Sequence, residues 1–454
     1  MGRLFGTDGV RGVAGELLSA ELALALGKTA TARTGAQRPR VLIVRDTRES
    51  GEMLESALAA GVSAAGGEAL LGGVLPTPAA PLLLRRYGFD LAAVLSASHN
   101  PYQDNGIKFF AADGFKLSDE VEGEIEAALD LAAAGVGEGA DNGITVSGAS
   151  DEAPPIGRVR ELRGAHEDYL RELETRFADL RLDGRKIAID CANGATYRVA
   201  PEILRRLGAN VTVLAAEPDG RNINADCGSM HIGRLGAAVR EGGHELGFAF
   251  DGDGDRVLAV DRAGIIVDGD ELIALAALHL HERGGLAGGG VVVTVMTNYG
   301  FHAAMRDAGI EVACTAVGDR YVLEELRRSG WTLGGEQSGH IIDMGFNSTG
   351  DGIASALLTL EALGSRDLAD RDTMAKLPQR LVNIRVRDRG ALAAADDVNA
   401  AVNAADEALS GRGRVLVRPS GTEPLVRVMV EAPTDAEADE VCARLVALVK
   451  RELA

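Results

Sequence analysis

The stretch Leu246-Gly-Phe-Ala-Phe250-Asp251-Gly-Asp253-Gly-Asp255-Arg256 joins a short apolar run directly to a cluster of three carboxylates. An apolar run of this length predicts a buried β-strand. Alternating glycines let the three aspartates turn toward one point, where they would repel each other unless a hard cation lay between them. The sequence therefore predicts a strand that ends in a metal site, with Asp251, Asp253 and Asp255 as ligands.

An EF-hand calcium loop is a second interpretation of the acidic turn. Its sixth position requires Gly where Arg256 stands, and its twelfth requires Glu where Arg262 stands. The preceding element is also a strand rather than a helix. A solvated acidic turn remains open as a structural alternative, whereas Arg256 beside the carboxylates favours a site at which metal and phosphate meet.

Short apolar runs alternate with amphipathic stretches on both sides of this strand, which is the pattern of an α/β protein. At about 100–200 residues per domain, 454 residues predict three or four domains. After about residue 377 the pattern changes to that of a small α+β domain. We expect three related mixed α/β domains and a smaller C-terminal α+β domain, with boundaries at residues 1–156, 157–262, 263–376 and 377–454.

Particular runs predict the individual elements of these domains. The clearest predicted strands are Val41–Arg45, Ala69–Val74, Leu91–Leu95, Lys186–Asp190, Val211–Leu214, Val291–Met296, Glu311–Ala316, Val382–Val386 and Leu425–Val430. A stretch rich in Gly, Ala, Ser and Asp from Ala132 to Pro155 predicts a loop near the end of the first domain.

The net charge of −20 limits the partners that the chain can have. A strongly acidic protein is a poor non-specific partner for nucleic acid or an anionic membrane, so we expect neither. Cys191, Cys227, Cys314 and Cys442 form no Cys-x-x-Cys pair, and the N-terminus has no apolar signal core. These features predict a cytoplasmic protein; they leave the oligomeric state open, and a homodimer is compatible with them.

Ser96-Ala-Ser98-His99-Asn100-Pro101 follows the predicted strand Leu91–Leu95, at the end of a strand where α/β sheets bind ligands. A hydrolase with Ser98 and His99 is one interpretation, but the Gly-x-Ser-x-Gly elbow is absent. A serine that carries a phosphoryl group is another, and a plain serine-rich turn is the third. Lys108 lies close downstream and could act on protons or on phosphate charge.

Two further loops contain residues suited to a sugar phosphate. Gly335-Glu336-Gln337-Ser338-Gly339-His340 places a carboxylate and a hydroxyl two residues apart, on one side of an extended segment, where they suit sugar hydroxyls. Arg418-Pro-Ser420-Gly421-Thr422-Glu423-Pro424, followed by Arg427, combines two arginines with small hydroxyl residues, which suits a phosphate. An ordinary hairpin turn and a rigid turn remain the respective structural alternatives.

Gly6-Thr7-Asp8-Gly9-Val10-Arg11-Gly12 places Arg11 between glycines, from where it could reach an anion. His279-x-His281 lies at the end of an apolar helix, where two histidines are more often incidental than metal ligands.

Taken together, GTDGVRG, SASHNP, DGDGDR, GEQSGH and RPSGTEP resemble the α-D-phosphohexomutase family, in that family's order and over nearly the whole chain. The resemblance implies four domains around a central cleft and a phosphosugar mutase activity, which belongs to the isomerase class. It also implies that Ser98 is a phosphoserine and that Mg²⁺ binds to Asp251, Asp253, Asp255 and the phosphate on Ser98.

The resemblance further assigns roles to the other motif residues. Glu336 and Ser338 are expected to contact sugar hydroxyls, while Arg11, Arg418, Ser420, Gly421, Thr422 and Arg427 are expected to bind substrate. Lys108, His99, His340 and Arg256 are expected at the reaction centre. Gln337, with SASHNP and NGIKFF, resembles the branch that interconverts glucosamine 6-phosphate and glucosamine 1-phosphate on the way to UDP-N-acetylglucosamine; a mannose or glucose phosphate is the alternative substrate.

Overall fold

The computed structural model describes residues 4–6, 8–133, 156–420 and 424–453. From residue 134 onward, the loop predicted up to Pro155 lies outside these ranges. In the described ranges, none of the helices combines the length and the apolar character that a bilayer-spanning helix requires.

The first unit is built on a six-stranded sheet with the order β1-β5-β4-β2-β3-β6. Its elements are β1 (Val10–Val13), α1 (Ala20–Arg33), β2 (Arg40–Arg45), α2 (Ser50–Ala64), β3 (Glu68–Val74), α3 (Ala79–Tyr87), β4 (Leu91–Leu95), β5 (Asp104–Ala111), α4 (Asp119–Ala133) and β6 (Arg158–Glu161). Strands β2, β3, β4 and β6 are parallel, whereas β5 runs antiparallel to β4. The ends of β2 and β4 therefore meet at one edge of the sheet.

The second unit follows the same principle with a five-stranded sheet, in the order β11-β10-β9-β7-β8. Its elements are α5 (Ala165–Arg176), β7 (Lys186–Asp190), α6 (Val199–Arg206), β8 (Asn210–Leu214), α7 (Gly233–Gly242), β9 (Leu246–Phe250), β10 (Val257–Asp261) and β11 (Ile266–Val267). Every residue of β9 is buried, as its apolar run predicts, and the acidic turn separates it from the antiparallel strand β10.

The third unit has a four-stranded sheet in the order β13-β12-β14-β15. Its elements are α8 (Gly269–Glu282), β12 (Gly290–Thr294), α9 (Tyr299–Asp307), β13 (Glu311–Thr315), α10 (Asp319–Ser329), β14 (Leu333–Gly335), β15 (Ile341–Asp343) and α11 (Gly352–Leu363).

The C-terminal unit has a three-stranded antiparallel sheet in the order β16-β18-β17, with two helices. Its elements are β16 (Gln379–Arg385), α12 (Asp396–Leu409), β17 (Arg414–Pro419), β18 (Leu425–Glu431) and α13 (Asp435–Leu453). The fold class is confirmed: three mixed α/β units and a smaller α+β unit. The domain boundaries stay a prediction, and the one after residue 156 separates β6 from the sheet to which it belongs.

The apolar cores show how the four units are joined, although the first three units also hold smaller cores of their own. One continuous core crosses the first three units and includes Leu42 of β2, Phe248 of β9 and Leu357 of α11. The C-terminal unit has a separate core, with Val428 and Leu445 at its centre. The first three units are thus packed as one body, to which the C-terminal unit is joined as a distinct module.

Candidate active site

Ser98 lies in the loop after β4, at the sheet edge where the parallel strands end. Its backbone φ is +52°, a value that residues with a side chain rarely adopt, so the surrounding structure must hold the loop. The Ser98 N–H donates to Ser96 Oγ at 2.9 Å, and the Ser96 hydroxyl donates to Asp46 Oδ2 at 2.5 Å. The loop is therefore fixed by the polar residues that follow β2.

Arg48 and Asn224, which none of the motifs predicts as functional residues, complete the support of this loop. The fully buried guanidinium of Arg48 donates to the carbonyl oxygens of Ser98 and Asn100, each at 2.9 Å. The amide of Asn224, from the second unit, donates to the same two oxygens at 2.9 and 3.0 Å. The signal for Arg48 was its place in Arg45-Asp46-Thr47-Arg48, at the carboxyl end of a predicted strand.

The acidic turn brings its three carboxylates together beside Ser98. One carboxylate oxygen from each of Asp251, Asp253 and Asp255 lies within 4.8 Å of the others, and all three residues are buried. The Ser98 hydroxyl donates to Asp251 Oδ2 at 2.5 Å. A Cβ on Gly252 would lie 2.5 Å from the Ser98 carbonyl oxygen, so the turn can approach the serine loop this closely only with glycine.

Charge at the three aspartates is only partly balanced. Burial, followed by Asp255 and Asp253, raises the pKa of Asp251 well above its ordinary value. Burial acts in the same direction on Asp253, but Lys108 outweighs it and lowers the pKa of that carboxyl. Lys108 Nζ lies 2.9 Å from Asp253 Oδ2 and 3.8 Å from Asp255 Oδ2. Lys108 thus faces two of these carboxylates, and Arg256 Nε adds a second positive charge 3.8 Å from Asp255 Oδ1.

A divalent cation fits this arrangement. Asp253 Oδ1 and Asp255 Oδ1 are buried and have no hydrogen-bond partner among the described residues. Carboxylate oxygens are the ligands that Mg²⁺ and Ca²⁺ prefer, and buried oxygens without a partner are costly unless a ligand satisfies them. The turn could therefore hold a hard metal ion through these aspartates.

A cavity of about 620 Å³ opens in front of Ser98. Its walls come from the first three units and include Asp8, Arg11, Ser98, His99, Asp255, Arg256, Asp319, Arg320, Glu336 and His340. His99 Nδ1 lies 3.5 Å from Ser98 Oγ, and burial, followed by Arg256 and Arg11, lowers the pKa of His99. His340 Nδ1 lies 3.6 Å from Asp255 Oδ2, and its Nε2 accepts a hydrogen bond from the Gly350 N–H at 3.1 Å.

The loop Gly335–His340 brings only part of its predicted set to the cavity. Glu336 is buried in the cavity wall, and its Oε1 accepts a hydrogen bond from the Gly318 N–H at 3.0 Å. The segment is a turn between β14 and β15 rather than extended, so Ser338 is exposed and lies outside the cavity lining. Gln337 also lies outside it and donates to Asp268 Oδ2 at 3.3 Å.

The two arginines of the C-terminal motif lie next to each other but outside the cavity lining. Arg418 of β17 and Arg427 of β18 are direct cross-strand partners, and neither belongs to the cavity wall. Burial, and then Arg427, lowers the pKa of Arg418. Ser420 is buried, whereas Gly421 and Thr422 lie outside the described residues.

The Ser98 loop of the first unit and the acidic turn of the second meet at one cavity, and comparison with known proteins shows that the chain is of the phosphosugar mutase class. Four matches cover most of the chain: the alpha/beta/alpha domains I, II and III of phosphoglucomutase/phosphomannomutase match residues 2–134, 167–264 and 268–381, and the C-terminal domain matches residues 381–448. The chain belongs to the phosphoglucomutase/phosphomannomutase family.

Relatives of similar length share about half of its residues. A phosphoglucosamine mutase from Moorella thermoacetica is 51% identical over 455 residues, which cover 98% of each chain. A phosphoglucosamine mutase from Nocardia farcinica is 49% identical over 457 residues, with 99% of each chain covered.

Solved structures share the fold at lower identity. A phosphoglucomutase/phosphomannomutase family protein from Burkholderia thailandensis matches with a TM-score of 0.81 at 24% identity, over 99% of this chain and 97% of that chain. An N-acetylphosphoglucosamine mutase from Aspergillus fumigatus, in complex with GlcNAc-6P and magnesium, matches with a TM-score of 0.65 at 17% identity, over 99% of this chain and 95% of that chain.

Proposed function

We propose that this chain interconverts glucosamine 6-phosphate and glucosamine 1-phosphate, with Ser98 as the carrier of the phosphoryl group. The observation that carries the proposal is the 2.5 Å contact between Ser98 Oγ and Asp251 Oδ2, because it places a buried hydroxyl directly on a cluster suited to a metal ion. Relatives at about 50% identity over nearly the whole chain bear the name phosphoglucosamine mutase, which supports the choice of substrate.

The reaction we propose has two transfers. In the first, a hydroxyl oxygen of the bound monophosphate bonds to the phosphorus on Ser98 while the bond from phosphorus to Ser98 Oγ breaks. The hydroxyl proton passes to His99, which lies beside Ser98 Oγ, and from there to that oxygen. The bisphosphate then turns over in the cavity, and Ser98 takes back the other phosphoryl group by the same steps in reverse.

The remaining residues position and balance charge, which is most of what phosphoryl transfer requires from a protein. We assign Glu336 to the sugar hydroxyls and Arg11 and Arg256, in the cavity wall, to phosphate oxygens. Arg418, Ser420, Gly421, Thr422 and Arg427 are assigned to the non-reacting phosphate, which requires the C-terminal unit to close toward the cavity. Ser338, which is exposed on the same loop as Glu336, is also assigned to the sugar hydroxyls.

We infer that Mg²⁺ is the cation held by Asp251, Asp253, Asp255 and the phosphate on Ser98. When bound, it would neutralise charge on the transferring phosphoryl group. We place the enzyme in the cytoplasm, because the four cysteines are unpaired and three of them are buried.

The proposal is tested by incubating the purified protein with glucosamine 6-phosphate, Mg²⁺ and a trace of glucose 1,6-bisphosphate. We expect ³¹P NMR to show a new signal of an anomeric phosphate and no rise in inorganic phosphate. Parallel incubations with glucose 6-phosphate and mannose 6-phosphate should react more slowly. Release of inorganic phosphate without an isomer would instead indicate a hydrolase, and faster reaction of either neutral sugar would overturn the choice of substrate.

A further inference from the structure

Lys116 lies beside the cavity and joins two carboxylates that come from different units. Its Nζ is 2.5 Å from Asp8 Oδ1 and 2.5 Å from Asp319 Oδ2. Asp8 and Lys116 flank β1 and β5 in the first unit, while Asp319 begins α10 in the third. Both aspartates line the cavity in front of Ser98, whereas Lys116 lines an adjoining cavity of about 200 Å³ that shares Asp319 with it.

Each of the two carboxylates also lies near a charged or titratable group at the reaction centre. Asp8 Oδ2 lies 3.0 Å from Lys108 Nζ, and the same ammonium reaches Asp253. On the other side, Asp319 Oδ2 lies 3.8 Å from His340 Nε2. Lys116 is therefore linked to Lys108 through Asp8 and to His340 through Asp319. It contacts neither Ser98 nor the acidic turn.

The loop Gly335–His340 depends on the same ion pair between Lys116 and Asp319. Gly318, the residue before Asp319, donates its N–H to Glu336 Oε1 at 3.0 Å. A displacement of Asp319 would move Gly318 and remove the support of the Glu336 carboxylate. Lys116 thus holds the segment that orients the candidate sugar ligand.

The environment of Lys116 makes its charge costly to remove. Only 14% of its side chain is exposed. Burial acts to lower its pKa, but Asp319 and Asp8 outweigh burial and raise it. Without the ammonium, two poorly solvated carboxylates would face each other across the boundary between the first and third units, and they would repel.

We propose that Lys116 is a positioning residue that couples the phosphoserine unit to the sugar-binding unit, by holding Asp8 against Lys108 and Asp319 against His340 and Glu336. This inference rests on the proposed mutase function. Lys116 is not among the residues that line the cavity in front of Ser98, and its ion pairs are with Asp8 and Asp319 rather than with the acidic turn, so its loss should lower kcat more than it raises KM.

The test compares Lys116→Met, which keeps the aliphatic stem, with Lys116→Arg, which keeps the charge. In the methionine variant we expect kcat for glucosamine 6-phosphate to fall roughly 10²-fold, because small misplacements of reacting groups cost this much. We expect KM to change less than about threefold and Mn²⁺ affinity, measured by electron paramagnetic resonance, to change equally little. The arginine variant should recover at least about tenfold in kcat.

Arg371→Met is the matched control. Arg371 is also 14% exposed and also joins two carboxylates, with Asp261 Oδ2 at 3.1 Å and Glu271 Oε1 at 2.8 Å, but it lies outside the cavity wall. Its loss should lower the thermal midpoint while kcat stays within about twofold of wild type.

Three results overturn the inference: a kcat near wild type in Lys116→Met, an equal loss of kcat in the control, or a folded Lys116→Arg that is as slow as the methionine variant. If Lys116→Met does not fold, the arginine variant decides alone: a kcat within about tenfold of wild type supports the inference, and a larger loss overturns it. Failure of the mutase proposal is distinguishable, because the wild-type protein would then form no isomer at all.

Discussion

The serine–aspartate centre and the C-terminal arginine pair both contain like charges at close range, but these charges are balanced by the protein only at the centre. At the centre, three buried carboxylates are held by Lys108, the Ser98 hydroxyl and the backbone N–H of Arg256. In the C-terminal unit, Arg418 and Arg427 face each other across two strands, and neither forms an ion pair with a carboxylate in the described ranges.

The difference follows from how each part is packed. The centre lies where three units share one core, so its groups can be fixed before substrate arrives. The arginine pair lies on a unit with a core of its own. Like charges opposite each other in a sheet are destabilising, and an anion between them would remove that cost. Packing therefore fixes the centre before any ligand binds, whereas the arginine pair, as the proposed phosphate site, would gain its counter-ion from the ligand.

Ser98→Ala is the strongest way to break the centre. We expect the mutase rate to fall at least roughly 10³-fold, because the hydroxyl that contacts Asp251 is lost. The Thr77 hydroxyl donates to Asp253 Oδ2 at 2.7 Å but lies outside the cavity lining, so it cannot replace Ser98. Intact mass after incubation with glucose 1,6-bisphosphate should show one added phosphoryl group in wild type and none in the variant.

Ser56→Ala is the control for this variant. Ser56 lies on α2, and its hydroxyl donates to the Glu52 carbonyl oxygen of the same helix at 2.8 Å. Its loss should leave rate and phosphorylation unchanged. A phosphorylated Ser98→Ala protein that keeps full activity would refute the assignment of the carrier.

Asp351 tests what happens to a buried carboxyl without a cation. It accepts hydrogen bonds from the Tyr169 hydroxyl and the Ala354 N–H, each at 2.9 Å, and burial raises its pKa to about 6. Between the ordinary value of 3.8 and about 6, the folded state keeps a proton that the unfolded state loses. Stability should therefore fall by about 3 kcal/mol as pH rises through this window.

Asp351→Asn should remove this pH dependence, since the amide can still cap α11 without a charge. Denaturant midpoints of wild type and variant, measured at intervals from pH 4 to 7, check the expectation. Asp388→Asn, which alters an exposed cap in the C-terminal unit, should retain the wild-type slope. A variant with an unchanged slope would show that Asp351 is ionised throughout the window.

The motif residues and their elements could be predicted because each motif carries its chemistry within a few positions. DGDGDR predicted a convergent acidic turn after a buried strand, and the structure has both. The contacts of Arg48, Asn224 and Lys116 could not be predicted, because each is made with residues far away in the chain. For Arg48 the sequence indicates only a position after a predicted strand, not its partners.

Parts of the fold were missed for related reasons. Helix α11 is buried nearly all round, so its sequence has no amphipathic period to reveal it. Strand β5 begins Asp104-Asn-Gly, which is typical of a turn, yet it pairs with both β1 and β4 and carries Lys108. The extended conformation expected at Glu336 and Ser338 was wrong, because the chain reverses there between β14 and β15.

Arg427→Met tests the C-terminal arginine pair and has the smallest expected effect. Removing one of two facing arginines should raise KM for glucosamine 6-phosphate about 10- to 30-fold, because one charge-assisted contact with phosphate is lost. The ligand-free variant should be as stable as wild type or slightly more stable, since Arg418 no longer faces a like charge. Steady-state kinetics and thermal unfolding without ligand separate these two effects.

Arg380→Met provides the contrast within the same sheet. Arg380 of β16 forms ion pairs with Asp435 and Asp439 of α13, so its removal should lower stability slightly and leave KM unchanged. If both variants lost stability while KM stayed constant, the facing arginines would be structural. If Arg418 and Arg427 bind phosphate, the two variants should change stability in opposite directions, and only Arg427→Met should raise KM. The reason is that only the facing arginines would gain their counter-ion from the substrate.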